Sequence, residues 1–135
     1  VNPSTYAYIK KPGYWGVHAK GEVWAEILYN VFWNVVDEFG FSKDWFKHHH
    51  SKKKEHLYGN KMMMQNVVDG LKLQPCYPTF IDARDAIILA DKLNYNGITT
   101  CLMWRAFAAR GLGQNAEAGG NEDFTVPKKC KEPSI

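Results

Sequence analysis

The chain has no run of apolar residues long enough to cross a membrane. It has no glycine-rich phosphate loop, no C-x-x-C pair of the kind that holds a zinc knuckle, and no Ser/His/Asp or Cys/His set arguable as a nucleophilic triad. Its charge is only slightly unbalanced, +3 in 135 residues, which argues against a dedicated nucleic-acid binder. Cysteine is scarce and odd in number, at Cys76, Cys101 and Cys130. From the residues alone these are either reduced core thiols or one bonded pair with a third left over. Internal repeats are also missing. The chain opens on Val1 rather than Met, without a signal peptide, and the expectation is a processed or excised piece of something longer.

Apolar residues make up 45% of the chain, enough for one core, so one domain or part of one is expected. Trp24, Ile27, Leu28, Val31, Phe32, Val35, Val36 and Phe39 recur at the three- and four-residue steps of one helical face. They predict a helix from Val17 or His18 to Phe39, closed by Gly40. Just before it stands an aromatic turn flanked by glycines, Gly13-Tyr14-Trp15-Gly16, which delivers His18 to the helix start. A histidine there is either a cap or surface residue, or an imidazole at the mouth of a site.

Three shorter helices follow. The second is predicted from Gly59 or Asn60 to Leu71, with Met63, Met64, Val67, Val68 and Leu71 inward and Met62 to Met64 as adaptable core filler. Thr79 is expected to cap the third, with Asp82 in the capping-box position and Ala83, Ile87, Ala90 and Leu93 or Asn94 buried. The fourth starts at Thr99 or Thr100, runs through Leu102, Met103, Ala106, Phe107 and Arg110, and stops at Gly111. Thr5 to Ile9 is expected to be extended, residues 41–58 to form a surface loop, and residues 114–135 a polar, partly ordered tail. The fold class is therefore mainly α, one small helical bundle over residues 1–135 with no domain boundary.

The stretch Gly13-Tyr14-Trp15-Gly16-Val17-His18-Ala19-Lys20-Gly21-Glu22-Val23-Trp24-Ala25-Glu26 resembles the fungalysins, secreted zinc metallopeptidases of fungi distantly related to thermolysin. Leu73 to Phe80, Ala83-Arg84-Asp85-Ala86 and Ala106 to Gly113 support the resemblance, in the same order and at similar spacing. It runs from about Pro12 to about Cys130 and matches only the C-terminal helical subdomain of such a thermolysin-like catalytic domain. It implies a secreted, extracellular zinc endopeptidase whose N-terminal zinc-binding half is the partner of this chain and whose substrate is a protein or peptide. Nucleic acid and membrane are not expected partners. His18 then becomes the histidine that stabilises the oxyanion, and Tyr14 and Trp15 line the substrate cleft. The resemblance also implies a disulfide between Cys76 and Cys101, with Cys130 left free or bonded elsewhere.

Zinc is expected in the complete enzyme with no ligand in this chain, which has no H-E-x-x-H. His18 and Glu22 are four apart on one helix face and resemble the family's third-ligand segment at Gly21 to Glu26, but the longer stretch from Gly13 fits the histidine segment better. Glu22 is therefore read as a polar residue at the cleft edge or helix start. No acid precedes His18 between Pro12 and Val17, so what orients it is expected to lie elsewhere. His48-His49-His50 with His56, and Lys52-Lys53-Lys54, read as a solvated loop. Asp82, Arg84 and Asp85, on one helix turn, read as a structural ion pair or cap rather than a substrate contact. Without its complement the chain is expected to be inactive. The competing reading is a non-catalytic helical binding or inhibitory protein derived from a truncated peptidase.

Overall fold

The structure, a computed structural model, describes residues 2–46 and 57–132. Four helices dominate: α1 (Val17–Phe39), α2 (Gly59–Leu73), α3 (Phe80–Tyr95) and α4 (Thr100–Ala109). Short 3-10 turns cover Tyr6–Lys10, Pro12–Tyr14 and Lys128–Cys130. Among the described residues there is no strand, only two isolated bridges. None of the helices is long and apolar enough to cross a membrane. The His48–His50, His56 and Lys52–Lys54 runs lie outside the described residues.

The periodic face of α1 forms the spine of the core. Val23, Ile27, Val31 and Val35 are fully buried, and Trp24, Leu28, Phe32 and Phe39 pack against them. Gly40 takes φ 79° and its N–H closes the helix on the Val36 carbonyl at 2.7 Å. Thr79 and Asp82 form the reciprocal capping box at the start of α3, with Asp82 N–H to Thr79 Oγ1 at 3.1 Å and Thr79 N–H to Asp82 Oδ2 at 2.9 Å. The bonds from the Thr79 backbone and hydroxyl favour the charged carboxylate and lower the Asp82 pKa below its ordinary 3.8.

The inward faces of α2 and α3 differ from those predicted. On α2 the buried residues are Gly59, Asn60, Met62, Met63, Asn66 and Gly70, whereas Met64, Val68 and Leu71 are exposed. Two glycines explain the choice of face. A Cβ on Gly59 would lie 2.6 Å from the Val35 carbonyl and the Val36 Cα, and one on Gly70 would lie 2.8 Å from Ile87 Cγ1. Both crossings, α2 on α1 and α2 on α3, are backbone-close, so the glycines turn inward; Met63 and Val67 face the core as expected, with Met62 beside them, while Met64, Val68 and Leu71 turn out. On α3 the buried set is Arg84, Ala86, Ile87, Ala90 and Asp91, with Leu93 exposed and Ala83 only half-buried. Arg84 pairs with Asp85 at 2.8 Å, stacks over Trp104 at 4.7 Å and donates to the Leu112 carbonyl.

Thr5 to Ile9 is not extended. Its 3-10 turn buries Tyr6, whose N–H reaches the Arg110 carbonyl at 2.9 Å and whose hydroxyl reaches the Glu117 carbonyl at 3.0 Å. The chain after Gly113 is likewise more ordered than its composition implies, because its polar side chains bond to its own backbone. The Asn115 and Thr125 N–H groups reach Asp123 Oδ2 at 2.9 and 3.1 Å, and backbone bonds join Gly113 N–H to the Asp123 carbonyl and Gln114 N–H to the Thr125 carbonyl, both at 2.8 Å. Burial pushes the Asp123 carboxyl up. The Thr125 hydroxyl, the Asn115 and Thr125 N–H groups and the Arg84 charge outweigh that and hold it below the usual carboxylate range.

The disulfide joins Cys101 to Cys130, and Cys76 is free and exposed. The expected Cys76–Cys101 pair is thus replaced. Cys76 sits in the exposed turn between α2 and α3, while the 3-10 turn at Lys128–Cys130 packs on α4 and brings the Cys130 Cα to 5.0 Å from that of Cys101. The sequence separation is 29 residues, for which loop-closure entropy predicts about 3 to 4 kcal/mol of stabilisation. Two outcomes follow. A thiol reagent labels one cysteine per native chain, Cys76. Replacing Cys101 and Cys130 together by serine lowers the unfolding free energy by about 3 kcal/mol, read by urea denaturation. Labelling of Cys130 in the native, unreduced chain would contradict the pairing.

Candidate functional site

The start of α1 gathers the residues singled out in the sequence. The two 3-10 turns at Tyr6–Lys10 and Pro12–Tyr14 fold the approach to the helix into a compact knot. Tyr14 is half-buried and meets Tyr8 edge-on at 5.6 Å, and Lys11 Nζ lies 3.5 Å over the Tyr8 ring. Trp15 is 63% exposed, with its indole N–H donating to the Lys10 carbonyl at 2.9 Å. That bond fixes the ring beside the helix mouth while leaving most of its surface to solvent. No hydrogen bond ties Tyr14 or Trp15 to His18.

Gly16 is the N-cap of α1 and has no side chain to satisfy the first N–H groups. The Lys20 N–H makes the first bond of the helix, to the Gly16 carbonyl at 3.1 Å, so the N–H groups of Val17, His18 and Ala19 are the open donors at the positive end of the helix dipole. His18 stands on that turn, exposed, and among the described residues its side chain makes no hydrogen bond or ion pair. No acid lies in the first turn. Glu22 is exposed one turn later on the same side. Chemically the arrangement offers donors, from the imidazole and from backbone N–H groups, directed at the space outside the bundle.

The described residues do not suit a metal. Among the described residues no group of three or more His, Cys, Asp or Glu side chains could hold one. His18 and Glu22 alone fall short of the three protein ligands that a catalytic zinc needs.

Sequence reasoning missed a hollow beside this site. A cavity of about 280 Å³ opens where α1 begins, between Lys20, Gly21 and Trp24 of α1, Leu71 of α2, and Phe80 and Ile87 of α3. Its walls are mostly apolar, and Trp24 and Phe80 meet edge-on within it at 5.4 Å. His18 does not line it. The only trace of this hollow in the sequence is the glycine at position 21, a missing side chain on an otherwise well-filled helix. The partners across the gap come from two other helices and cannot be read from one.

The fungalysin metallopeptidase (M36) family model matches residues 1–116. An extracellular metalloproteinase of Pyrenophora tritici-repentis is 42% identical over 132 residues, covering 94% of this chain and 19% of its own length. Extracellular metalloproteinase 2 of Trichophyton tonsurans and its counterpart in Trichophyton rubrum are each 43% identical over 132 residues, covering 96% of this chain and 20% of theirs. The chain thus spans about one fifth of the length of these relatives.

Proposed function

The chain belongs to the fungalysin metallopeptidase family, and from that premise we propose that it forms the C-terminal helical subdomain, over residues 1–135, of a secreted zinc-dependent endopeptidase. In this reading it supplies one wall of the substrate cleft. The other wall is the N-terminal zinc-binding half of the same catalytic domain, which carries the metal and the general base. The substrate is a polypeptide. His18 hydrogen-bonds the carbonyl oxygen as that oxygen gains negative charge, and Tyr14 and Trp15 shape the approach.

The observation that carries this reading is His18, exposed at the open N-terminus of the core helix without an internal partner. A histidine serving the bundle itself would be bonded to it. One facing outward beside free N–H donors is suited to an anion that forms outside. Backbone N–H groups at a helix start attract negative charge, and the imidazole adds a directed donor. The extracellular setting is supported by the names of the relatives and agrees with the disulfide between Cys101 and Cys130.

The chain alone, assayed with zinc on casein, is expected to show no turnover, because none of its described residues supplies a metal site. Mixing it with the complementary half is expected to restore hydrolysis. Sustained zinc-dependent cleavage by the chain alone, at a rate unchanged on adding the other half, would overturn the division of labour.

A further inference from the structure

A second hollow opens on another side of the bundle, where α1 crosses α4, eleven residues along α1 from His18. It measures about 500 Å³. Tyr29 and Trp33, one helical turn apart, form a wall of two rings 6.1 Å apart and inclined at 70°. Both are exposed, 58% and 40%. Ala106 and Ala109 of α4 make a low floor, which is why there is room between the helices.

The rim is polar and charged in both senses. Arg105 donates through Nε to the Cys130 carbonyl at 3.3 Å, so the disulfide-bonded end of the chain positions the guanidinium and leaves its other N–H groups at the rim. Asp37 stands at the same rim without an ion-pair partner among the described residues and is not bridged to Arg105. Asn34 spends its Nδ2 on the Leu102 carbonyl at 2.7 Å, which leaves its Oδ1 as an acceptor.

We propose that this hollow binds a neutral saccharide ring. A pyranose has an apolar face of C–H bonds and an equator of hydroxyls, each both donor and acceptor. The indole of Trp33 and the ring of Tyr29 suit the first; the Arg105 donors with the Asp37 and Asn34 acceptors suit the second. The one positive and one negative group at the rim cancel, so a net anion or cation gains from one and loses to the other. A purely apolar group would strand both charges. The mixture of aromatic wall and a few convergent polar groups is that of a small-ligand site. This inference stands on α1, α4 and the Lys128–Cys130 turn and is independent of the peptidase reading.

The full chain is titrated with a β-1,4-linked trimer of N-acetylglucosamine, a β-1,4-linked trimer of glucose and triglycine, by calorimetry and saturation-transfer NMR. Saturable binding of at least one sugar is expected, with a dissociation constant of about 1 mM or tighter and at least about tenfold weaker for Trp33→Ala. The Asp37 side chain bonds to none of the described residues, so Asp37→Ala leaves the fold intact and also weakens binding. Trp45→Ala, which removes an exposed indole elsewhere, has no effect. The proposal fails if neither sugar saturates, if both Trp33→Ala and Asp37→Ala bind sugar like the unaltered chain, or if triglycine binds as tightly as the sugars and through the same residues. In that last case the hollow is a peptide site.

Discussion

Replacing His18 by alanine in the complete peptidase is expected to lower kcat by about 10²- to 10³-fold with little change in KM, the cost of one donor to a developing oxyanion. Only interactions stronger in the transition state than in the ground state speed the chemical step. A neutral peptide carbonyl gains little from the imidazole, whereas the tetrahedral oxygen gains much, so the loss falls on kcat. The same substitution is expected to leave stability within about 0.5 kcal/mol, because the His18 side chain is exposed and bonds to none of the described residues. Activity and stability thus come apart, and unfolding is removed as an explanation. His18→Gln, which keeps an N–H donor of similar reach, is expected to recover part of the rate. Steady-state kinetics on a peptide substrate, with zinc content and urea unfolding measured on the same preparations, provide the check. A loss of kcat/KM below about tenfold, or an equal loss of stability, would remove His18 from the reaction.

The position of His18 was legible because two strong local signals meet there. The Gly13–Gly16 turn breaks the chain, and the apolar period of α1 begins within the next two turns. The limits of α1 at Val17 and Phe39 and its fully buried Ile27, Val31 and Val35 follow from that period. Periodicity served less well on α2. Its apolar residues occupy both sides, and the inward side was decided by contacts of Gly59 with α1 and Gly70 with α3, which leave Leu71 63% exposed. A stripe of glycine and asparagine scores as polar in any hydrophobic count, yet it is the seam of this bundle. Cysteine pairing was not legible either. Three cysteines allow three pairings, and only the docking of Lys128–Cys130 on α4 selects Cys130 for Cys101. The hollow at Tyr29 and Trp33 depends on Arg105, far along the chain, and exists only once α4 is packed on α1.

Asp91→Ala is expected to destabilise the chain by about 3 to 5 kcal/mol, the range for opening a buried polar network. Asp91 is fully buried on the inward face of α3, a position that one-dimensional reasoning assigns to an aliphatic residue. It is held there by three donors from two neighbouring segments. Asn66 Nδ2 of α2 reaches Oδ1 at 3.1 Å, and the Thr99 N–H and Thr100 hydroxyl, at the entry to α4, reach Oδ2 at 3.1 and 2.9 Å. One carboxyl therefore fixes α2 and the entry of α4 to α3, and it caps an α4 that lacks a side-chain cap of its own. Alanine leaves the Thr99 N–H and the Asn66 amide facing apolar surroundings with no acceptor, at about 1 to 3 kcal/mol each. Asp91→Asn keeps the shape and one acceptor oxygen but points an NH₂ at donors, so a smaller loss of about 2 kcal/mol is expected. Asn66→Ala removes only one of the three donors and should cost less than Asp91→Ala. The double variant should cost less than the two single losses together, because Asn66 has no reason to remain once its acceptor is gone. Urea unfolding of the four proteins measures that coupling. If Asp91→Ala costs less than about 1 kcal/mol, or if the two losses simply add, the carboxyl is an incidental passenger in the core and the α2–α3–α4 junction is held by Gly70 against Ile87 and its apolar neighbours instead.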